Sequence, residues 1–238
     1  MATFVLVHGG GHGGWCYKPV AQRLRALGHE VHAPTLSGLA DRAHLLSGDI
    51  DLETHIADVA GLLEFEDLAG VILVGHSYGG MVITGAADRQ PGRVGHRVYL
   101  DAAYPRDGES LYEHAYEAIH GARQGLHEVA GVPLVMAPMA GMAAFFGVTD
   151  PQLGAWTDAR LTAQPWKCFD QALVLQNEAA MRKIPESHLI CSSTVPGRDM
   201  ALLTERSQGR VWDIDTGHDL MLTEPDWVTG RLDAIAGL

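Results

Sequence analysis

The chain has 238 residues and a mass of 25.6 kDa, is 47% hydrophobic and 19% charged, and carries a formal net charge of −12. A chain of this length can bury one sizeable core, so we expect one domain with, at most, an inserted lobe. The acidic balance argues against nucleic acids and anionic membranes as partners, because both attract basic surfaces.

The three cysteines, Cys16, Cys168 and Cys191, are scattered and form neither a CxxC pair nor a zinc-binding spacing. Reduced thiols in a cytoplasmic protein are therefore expected, rather than a disulfide framework. The N-terminus does not resemble a signal peptide, since no basic residue precedes its apolar run. The uncharged stretch 129–148 is nearly as long as a membrane span, but it contains two prolines and lacks flanking Lys or Arg. We expect it in a lobe over an apolar pocket and predict no membrane partner.

Short runs of β-branched residues alternate with amphipathic stretches along the chain, which is typical of a parallel sheet covered by helices on both faces. The predicted strands are residues 3–7, 30–33, 71–74, 97–100, 188–191 and 210–214. The predicted helices are residues 17–28, residues 51–66, a stretch after residue 78 and a last helix from about residue 224. The fold class is therefore α/β, with about six mainly parallel strands.

No strand is predicted between Leu100 and His188, an interval rich in Met, Ala, Tyr and Trp. We therefore divide the chain into an α/β core over 1–105 and 165–238 and a helical cap inserted over 106–164. The cap is expected to cover the carboxyl edge of the sheet.

The segment VILVGHSYGGMV, residues 71–82, ends a buried strand in Gly75-His76-Ser77-Tyr78-Gly79, which fits the pattern G-x-S-x-G. In that pattern a serine lies on a tight turn from strand to helix, and the glycines let the two elements approach closely. The helix N-terminus behind the serine favours developing negative charge. A glycine-rich loop can carry this pattern by chance, but the flanking strand and helix favour a nucleophilic Ser77.

A second glycine-rich loop, His8-Gly9-Gly10-Gly11, follows the first strand. Such a turn exposes backbone N–H groups that can bind an oxyanion, and we predict that the N–H groups of Gly10 and Tyr78 form this oxyanion hole. If the strand order is 2-1-3-4-5-6, the first and third strands are neighbours where the order reverses, and both loops reach one site.

A serine hydroxyl is a weak nucleophile until a base takes its proton. The chain has 13 histidines, and His218, in the segment DIDTGHDLMLTEP, follows the last predicted strand. We predict His218 as the base. His8 and His12 lie in the glycine loop and are expected to hold its backbone, while His32, His55 and His120 are expected at the surface or on a helix face.

With these motifs the sequence resembles the α/β-hydrolase superfamily, and specifically the branch of plant hydroxynitrile lyases and methyl-ester esterases with their bacterial relatives. The matching segments are VLVHGGGHGGWCY, APTLSGLADRAHLL, DLETHIADV, VGHSYGGMV, YLDAAYPRDG and GHDLMLTEP. They cover nearly the whole chain outside the cap. The resemblance implies a six-stranded parallel sheet, a small helical cap and a Ser–His–acid triad that uses no cofactor and no metal.

The sequence departs from that branch at three positions. Its lyases carry a threonine after the histidine of the first loop and a lysine after the catalytic histidine, where this chain has Gly9 and Asp219. Without the lysine a departing cyanide lacks a positive partner, so the resemblance implies an esterase rather than a lyase. Similar esterases carry an aspartate after the fifth strand, at about the place of Thr194.

Asp101 is our candidate for the acid. It ends an apolar strand in RVYLDAAYP beside the serine strand, and a carboxylate so placed is costly unless it is paired. In the alternative interpretation Asp101 only caps a turn before Pro105, and the acid is Asp199, Asp213, Asp215 or absent.

The predicted reaction is hydrolysis of a small apolar or aromatic carboxylic ester through an acyl-enzyme on Ser77. Three alternatives stay open, because one fold carries many chemistries. They are a hydroxynitrile lyase or other carbon–carbon cleaving enzyme, a cofactor-free oxygenase, and a small-molecule receptor with little turnover. A homodimer is also left open. Several apolar side chains could line the pocket or simply pack the cap: Trp15, Tyr78, Met136, Met139, Met142, Phe145, Phe146 and Trp156.

Overall fold

The computed structural model describes the backbone of residues 1–238 and all side chains except those of Tyr116 and Ala118. Its strands are β1 (Thr3–Val7), β2 (Glu30–His32), β3 (Val71–His76), β4 (Val94–Leu100), β5 (His127–Val129), β6 (Val132–Val135), β7 (Gln164–Pro165), β8 (Glu186–Cys191) and β9 (Val211–Ile214). Six of these form a parallel sheet in the order β2-β1-β3-β4-β8-β9. The predicted α/β class is confirmed, and the strand order is the one that the argument for a shared site assumed.

The helices follow the strands in the alternation that the sequence predicts. They are α1 (Lys18–Ala26), α2 (Leu52–Phe65), α3 (Gly79–Arg89), α4 (Leu111–His114), α5 (Tyr116–Gln124), α6 (Met142–Phe145), α7 (Pro151–Asp158), α8 (Lys167–Asp170), α9 (Glu178–Met181), α10 (Met200–Arg206), α11 (Leu220–Thr223) and α12 (Pro225–Ala236). Short 3-10 turns cover Gly14–Tyr17, Ala40–Leu45 and Ser192–Gly197.

Both faces of the sheet are buried, because side chains of one strand alternate between its two sides. Phe4 and Leu6 of β1 pack with residues of α1 and α12 in one apolar cluster. Val5 and Val7 pack with residues of α2 and α3 in a second cluster. A strand buried on both faces reads as a continuous apolar run, which explains the β-branched segments of the sequence.

The cap region between β4 and β8 differs from the predicted helical cap. It contains helices α4 to α7, but it also contains a three-stranded sheet in the order β5-β6-β7, whose pairs are antiparallel. These strands have three, four and two residues, too few to produce an alternating pattern in the sequence. The uncharged stretch 129–148 lies in this region, and no helix among the described residues is long and apolar enough to cross a membrane.

The register of the sheet brings several loops to its carboxyl edge. Val7 pairs with Gly75, His76 with Leu100 and Leu100 with Leu189. The residues that follow β1, β3 and β4 therefore leave the sheet side by side, at the same edge as the loops after β8 and β9.

Candidate active site

Ser77 occupies the turn between β3 and α3, with a left-handed backbone at φ 53°. Its N–H donates to the carbonyl of Leu100 at 3.3 Å, and its own carbonyl accepts from the N–H of Ala103 at 3.0 Å. A non-glycine residue in this conformation costs about 1–3 kcal/mol and persists where its surroundings enforce it. The strained turn lifts Ser77 out of the strand direction, at the edge where the sheet ends.

Close backbone packing explains the glycines on both sides of Ser77. A Cβ at Gly75 would lie 2.5 Å from the carbonyl oxygen of Gly79, and a Cβ at Gly79 would lie 2.7 Å from that of Val7. A Cβ at Gly80 would collide with the backbone of Ala103. The strand, the helix and the two neighbouring loops meet here with no room for side chains.

Asp101 follows β4 directly, is 2% exposed, and has a positive φ of 44°. Its Oδ2 lies 2.5 Å from His218 Nδ1 and 2.9 Å from Cys191 Sγ. Its Oδ1 accepts from Thr194 Oγ1 at 2.6 Å and from Arg198 Nη2 at 2.8 Å. Burial would raise the pKa of this carboxyl group, but its hydrogen bond with His218 and the nearby positive charges hold the pKa well below its usual range. Asp101 is therefore a buried carboxylate.

His218 lies in the loop after β9, and 27% of its side chain is exposed. Its ring centroid is 4.6 Å from that of His76, and His76 Nε2 bonds to the carbonyl of His218 at 3.0 Å. Burial lowers the basicity of the imidazole, but the hydrogen bond to Asp101 more than offsets this and raises the pKa of His218 to about 10. Its Nδ1–H points at Asp101, which leaves Nε2 as the atom that can exchange a proton.

The structure thus brings Asp101 and His218 together beside the Ser77 turn. Among the described side chains, no hydrogen bond joins Ser77 Oγ to His218. Catalytic hydrogen bonds are often long or misaligned without substrate and tighten only in the substrate complex. Of the contacts in the predicted triad, the described structure therefore contains the one between His218 and Asp101.

His8 anchors the glycine loop as a neutral imidazole. Burial lowers its pKa to about 3. Its Nδ1 lies 2.8 Å from the carbonyl of Gly9, and its Nε2 accepts from the N–H of Leu36 at 3.0 Å. These two contacts together require a proton on Nδ1 and none on Nε2.

The glycine loop lies directly against the Ser77 turn. A Cβ at Gly9 would be 2.9 Å from Ser77 Cβ, and one at Gly10 would be 2.7 Å from Phe169 Cζ. In the described part of the chain, the backbone N–H groups of Gly10 and Tyr78 have no hydrogen-bond acceptor. Two adjacent loops therefore each present a free N–H donor near Ser77, as an oxyanion hole requires.

His12 contacts the backbone of the glycine loop, as predicted, whereas the contact that holds Tyr78 was not foreseen from the sequence. The Tyr78 hydroxyl lies 2.9 Å from His55 Nδ1, while His55 Nε2 lies 2.9 Å from the carbonyl of Ser37. His55 is fully buried, so a surface position is wrong for it: it lies in α2, on the helix face that is turned into the core. His12 Nδ1 lies 2.8 Å from the carbonyl of Gly10.

Asp219, at the position of the lyase lysine, is fully buried. Its Oδ2 lies 3.0 Å from Nε2 of His12, whose side chain is 1% exposed. Burial alone would lower the pKa of His12 and raise that of Asp219, but their mutual attraction more than offsets this: the pKa of His12 is raised and that of Asp219 is lowered. The pair joins the glycine loop to the loop that carries His218.

The other candidate acids have different roles or positions. Asp199 accepts from the N–H of Leu202 at 3.0 Å and so caps α10. Asp213 accepts from Ser192 Oγ at 3.0 Å at the surface, and Asp215 is exposed. Asp101 is the one of these four whose carboxylate contacts His218 in the described structure.

Apolar side chains of the cap region contact part of this site. Phe146 lies with its ring centroid 5.1 Å from that of His12 and 6.3 Å from that of His218. Met136 Sδ would lie 3.5 Å from a Cβ at Gly10. Met139 and Phe145 are 69% and 81% exposed, so they do not line a buried pocket.

Three side chains that can bind metal ions lie close together: the ligand atoms of Asp101, Cys191 and His218 are within 4.8 Å of one another. Hydrogen bonds already connect these groups: Asp101 Oδ2 contacts both Cys191 Sγ and His218 Nδ1. The cluster therefore holds its carboxylate without requiring an ion.

The doubly covered parallel sheet, the serine on a strained strand-to-helix turn and the His–Asp pair at the sheet edge define a hydrolase fold. A model of the alpha/beta hydrolase family matches residues 4–231, and the chain belongs to this family. Over 99% of its length, and the whole of the relative, it is 38% identical to the carbendazim hydrolyzing esterase of Nocardioides sp. strain SG-4G.

A further relative matches over part of the chain, and a solved structure matches over nearly all of it. Methyl jasmonate esterase 1 of Vitis vinifera is 36% identical over 127 residues, which are 51% of this chain and 47% of the relative. The crystal structure of polyneuridine aldehyde esterase is 21% identical, covers 99% of both chains and has a TM-score of 0.81, which shows the shared fold. The relatives are named as esterases and hydrolases, in agreement with the predicted resemblance and with an enzyme that acts on ester bonds.

Proposed function

We propose that this protein hydrolyses carboxylic esters of small apolar or aromatic molecules, with Ser77 as nucleophile, His218 as base and Asp101 as the acid that orients His218. The observation that carries the proposal is the 2.5 Å contact between His218 Nδ1 and the buried carboxylate of Asp101, beside the strained turn of Ser77. A carboxylate in this position selects the imidazole tautomer whose Nε2 accepts a proton.

In the proposed reaction, His218 Nε2 takes the proton of the Ser77 hydroxyl while Oγ bonds to the ester carbonyl carbon. The resulting oxyanion accepts hydrogen bonds from the N–H groups of Gly10 and Tyr78. His218 then protonates the leaving alcohol as the ester bond breaks, which leaves an acyl group on Ser77. A water molecule attacks this acyl group with the same proton transfers and releases the carboxylic acid.

Two features favour ester hydrolysis over cyanohydrin cleavage. Gly9 stands where the lyases carry a threonine, and a Cβ there would lie 2.8 Å from His76 Nδ1 and 2.9 Å from Ser77 Cβ. Asp219 stands where they carry a lysine, and its carboxylate is engaged with His12. This chain therefore supplies no cation beside His218 at the position of the lyase lysine.

The first prediction concerns Ser77→Ala. We expect the variant to fold and to lose ester turnover by at least about 10⁴-fold, because no other group replaces the attacking oxygen. The measurement is release of p-nitrophenol from short-chain p-nitrophenyl esters and of methanol from methyl esters. Carbendazim belongs in the same panel, since the full-length relative is named for hydrolysing it.

Wild-type turnover in Ser77→Ala would refute the proposal. Cyanide release from a cyanohydrin without ester turnover would instead reveal a lyase. Tight binding of an ester by the wild type without turnover would point to a receptor, and oxygen uptake with an aromatic heterocycle to an oxygenase.

The second prediction concerns the acid. Asp101→Asn should lower kcat by about 10³–10⁴-fold, because an amide no longer selects the reactive tautomer of His218. Asp199→Asn is the matched control: asparagine caps a helix about as well as aspartate does, so this variant should keep both the stability and the kcat of the wild type. The opposite ranking of the two variants in kcat would show that the acid has been assigned to the wrong residue.

A further inference from the structure

The carboxylate of Asp101 is bound on two sides. His218 and the thiol of Cys191 contact Oδ2, at 2.5 and 2.9 Å. Thr194 and Arg198 contact Oδ1, at 2.6 and 2.8 Å. The backbone N–H of Cys191 also donates to Oδ1, at 3.3 Å. The two side chains on Oδ1 come from the 3-10 turn after β8 and its end, which is where similar esterases carry their own acid.

All three guanidinium nitrogens of Arg198 donate hydrogen bonds. Nη2 donates to Asp101, Nη1 donates to the carbonyl of Ala102 at 2.9 Å, and Nε donates to Thr194 Oγ1 at 3.2 Å. Its side chain is 12% exposed, so these contacts are largely shielded from water. A planar fork with fixed donors is suited to such a role, and the ammonium group of lysine cannot reproduce it.

Thr194 connects Arg198 to the carboxylate. Its hydroxyl has one proton, and the shorter contact is to Asp101 Oδ1 at 2.6 Å rather than to the carbonyl of Cys191 at 3.0 Å. Because Arg198 Nε donates to the same hydroxyl, the threonine proton is directed toward Asp101.

We propose that Arg198 and Thr194 are positioning residues, which hold Asp101 in the orientation that accepts the His218 Nδ1–H. This inference rests on the proposed function of Asp101 and His218. The loop after β8 thus supplies the donors that orient an acid placed after β4, instead of supplying the acid itself.

The guanidinium also affects the charge balance of the site. A positive charge on the far side of Asp101 opposes protonation of His218, since two cations share one carboxylate. The other titratable groups facing His218 are Cys191 from β8, His76 from β3, Asp219 from its own loop and His12 from the glycine loop. A substitution at residue 198 removes none of these four groups, so a change in the titration of His218 in such a variant reports on the charge of Arg198 and on the placement of Asp101.

The experiment compares Arg198→Met, Arg198→Lys, Thr194→Val and Thr194→Ser in methyl-ester hydrolysis across pH. Arg198→Met should lower kcat by about 10-fold or more, because a small misplacement of a catalytic group is costly. It should also move the midpoint of the kcat/KM profile upward by about one pH unit, because a cation near His218 is lost while the Asp101 carboxylate stays in contact with His218 Nδ1. Arg198→Lys should keep the wild-type midpoint but not the wild-type kcat. Thr194→Val should lower kcat, and Thr194→Ser should restore it, with KM changing little in each case.

Arg182→Met is the matched control. Arg182 is also partly buried, pairs with Glu178 at 3.0 Å and donates to the carbonyl of Pro105 at 3.1 Å, but it does not contact Asp101. We expect wild-type kcat and an unchanged midpoint in this variant. Circular dichroism and thermal melting establish that each variant is folded before its kinetics are compared.

The inference is wrong if folded Arg198→Met and Thr194→Val keep the wild-type kcat and midpoint while Asp101→Asn is inactive. It is also wrong if both variants lose stability and kcat but the midpoint of Arg198→Met does not move, since a merely structural role gives that result. Activity that survives in Ser77→Ala or Asp101→Asn would overturn the proposed function itself, so the two failures are distinguishable.

Discussion

Ser77 and Asp101 are both held in left-handed backbone conformations, at φ 53° and 44°. Each is the first residue beyond a buried strand, and their backbones are connected through the carbonyl of Leu100 and the N–H of Ala103. Strain of this kind is typical of functional sites, where it aims a side chain that a relaxed turn would direct elsewhere. The backbone conformation thus sets the direction in which the side chains of Ser77 and Asp101 leave the sheet.

The charge on His218 leads to a prediction about pH. A general base must be neutral, and the Asp101 carboxylate raises the pKa of His218 to about 10. We therefore expect kcat/KM to be low where His218 is protonated and to rise with pH through a midpoint well above 6.5. In Asp101→Asn, the midpoint of the residual activity should fall toward the ordinary value of about 6.5.

Initial rates with a methyl ester between pH 5 and pH 10.5, corrected for spontaneous hydrolysis, test this expectation. A midpoint of the wild-type kcat/KM profile at or below pH 6.5 would contradict this expectation. If the midpoint is the same in Asp101→Asn as in the wild type, the group that titrates is not His218 paired with Asp101.

At the level of whole elements, the cap region packs against the His218 loop through backbone contacts. Gly147 has a φ of 83°, and a Cβ at Gly147 or at Gly217 would overlap the backbone of the other residue. Beside this contact, the N–H of Asp219 donates to the carbonyl of Phe146 at 3.0 Å. The loop that carries the proposed base is therefore positioned by the segment that follows α6.

The prediction at this level concerns Gly217→Ala. The added methyl group must push the His218 loop and the cap segment apart, which typically costs 1–3 kcal/mol. We expect kcat/KM to fall by about 10–100-fold, because the base is displaced from Ser77.

Gly121→Ala provides the control, since a Cβ at that helical position meets nothing within 4 Å. It should keep wild-type activity and gain up to about 1 kcal/mol from the higher helix propensity of alanine. Thermal melting and ester kinetics of Gly217→Ala and Gly121→Ala test whether the Gly147–Gly217 contact positions His218. Equal, wild-type behaviour of both would mean that the Gly147–Gly217 contact does not position His218.

Across the whole molecule, the pair of His12 and Asp219 connects positions 207 residues apart in sequence. It is buried, and it links the loop after β1 to the loop after β9, which leave strands that are not neighbours in the sheet. Removing one partner of a buried ion pair leaves an uncompensated group, which is far more costly than losing a surface pair.

The prediction for the whole molecule is a pH-dependent loss of stability in Asp219→Asn. The lowered pKa of Asp219 contributes stability that is present above its unfolded value of about 3.9 and lost as pH falls. The raised pKa of His12 contributes stability that is present below about 6.5 and lost as pH rises through its folded value. The loss should therefore be greatest between about pH 4 and 6.5, at about 3 kcal/mol, and smaller at pH 8.5.

Thermal or urea unfolding at pH 5.5 and 8.5 measures the difference. Asp233→Asn, which breaks an exposed contact with His29, should change stability by less than about 0.5 kcal/mol at either pH. A loss of stability in Asp219→Asn that is equal at both pH values would show that the stabilising contact is not an ion pair.

Much of the fold and part of the candidate site could be predicted because their signals are local in the sequence. The β-branched runs and amphipathic stretches predict the parallel sheet, and the glycines around Ser77 mark a turn that only residues without a side chain allow. The short strands of the cap could not be predicted, since two to four residues are too few for a periodic pattern.

The sequence favoured Asp101 over Asp199 as the acid but could not decide between them. Nothing in the sequence shows which of the two carboxylates lies near His218. The donors around Asp101 were also missed, although the threonine in place of an expected acid was a signal at the right position. Thr194 lies 93 residues from Asp101 in sequence and becomes its partner only when β4 and β8 pair.

The amino-acid sequence alone determined the sheet, the turn at Ser77 and the order in which the proposed catalytic groups occur, since each depends on neighbours within a few residues. The tertiary structure alone decided which carboxylate meets His218, which donors hold it and where Asp219 finds its partner. The physical reason is that a hydrogen bond or ion pair depends on distance in space, and strand pairing brings together groups whose separation in sequence carries no such information.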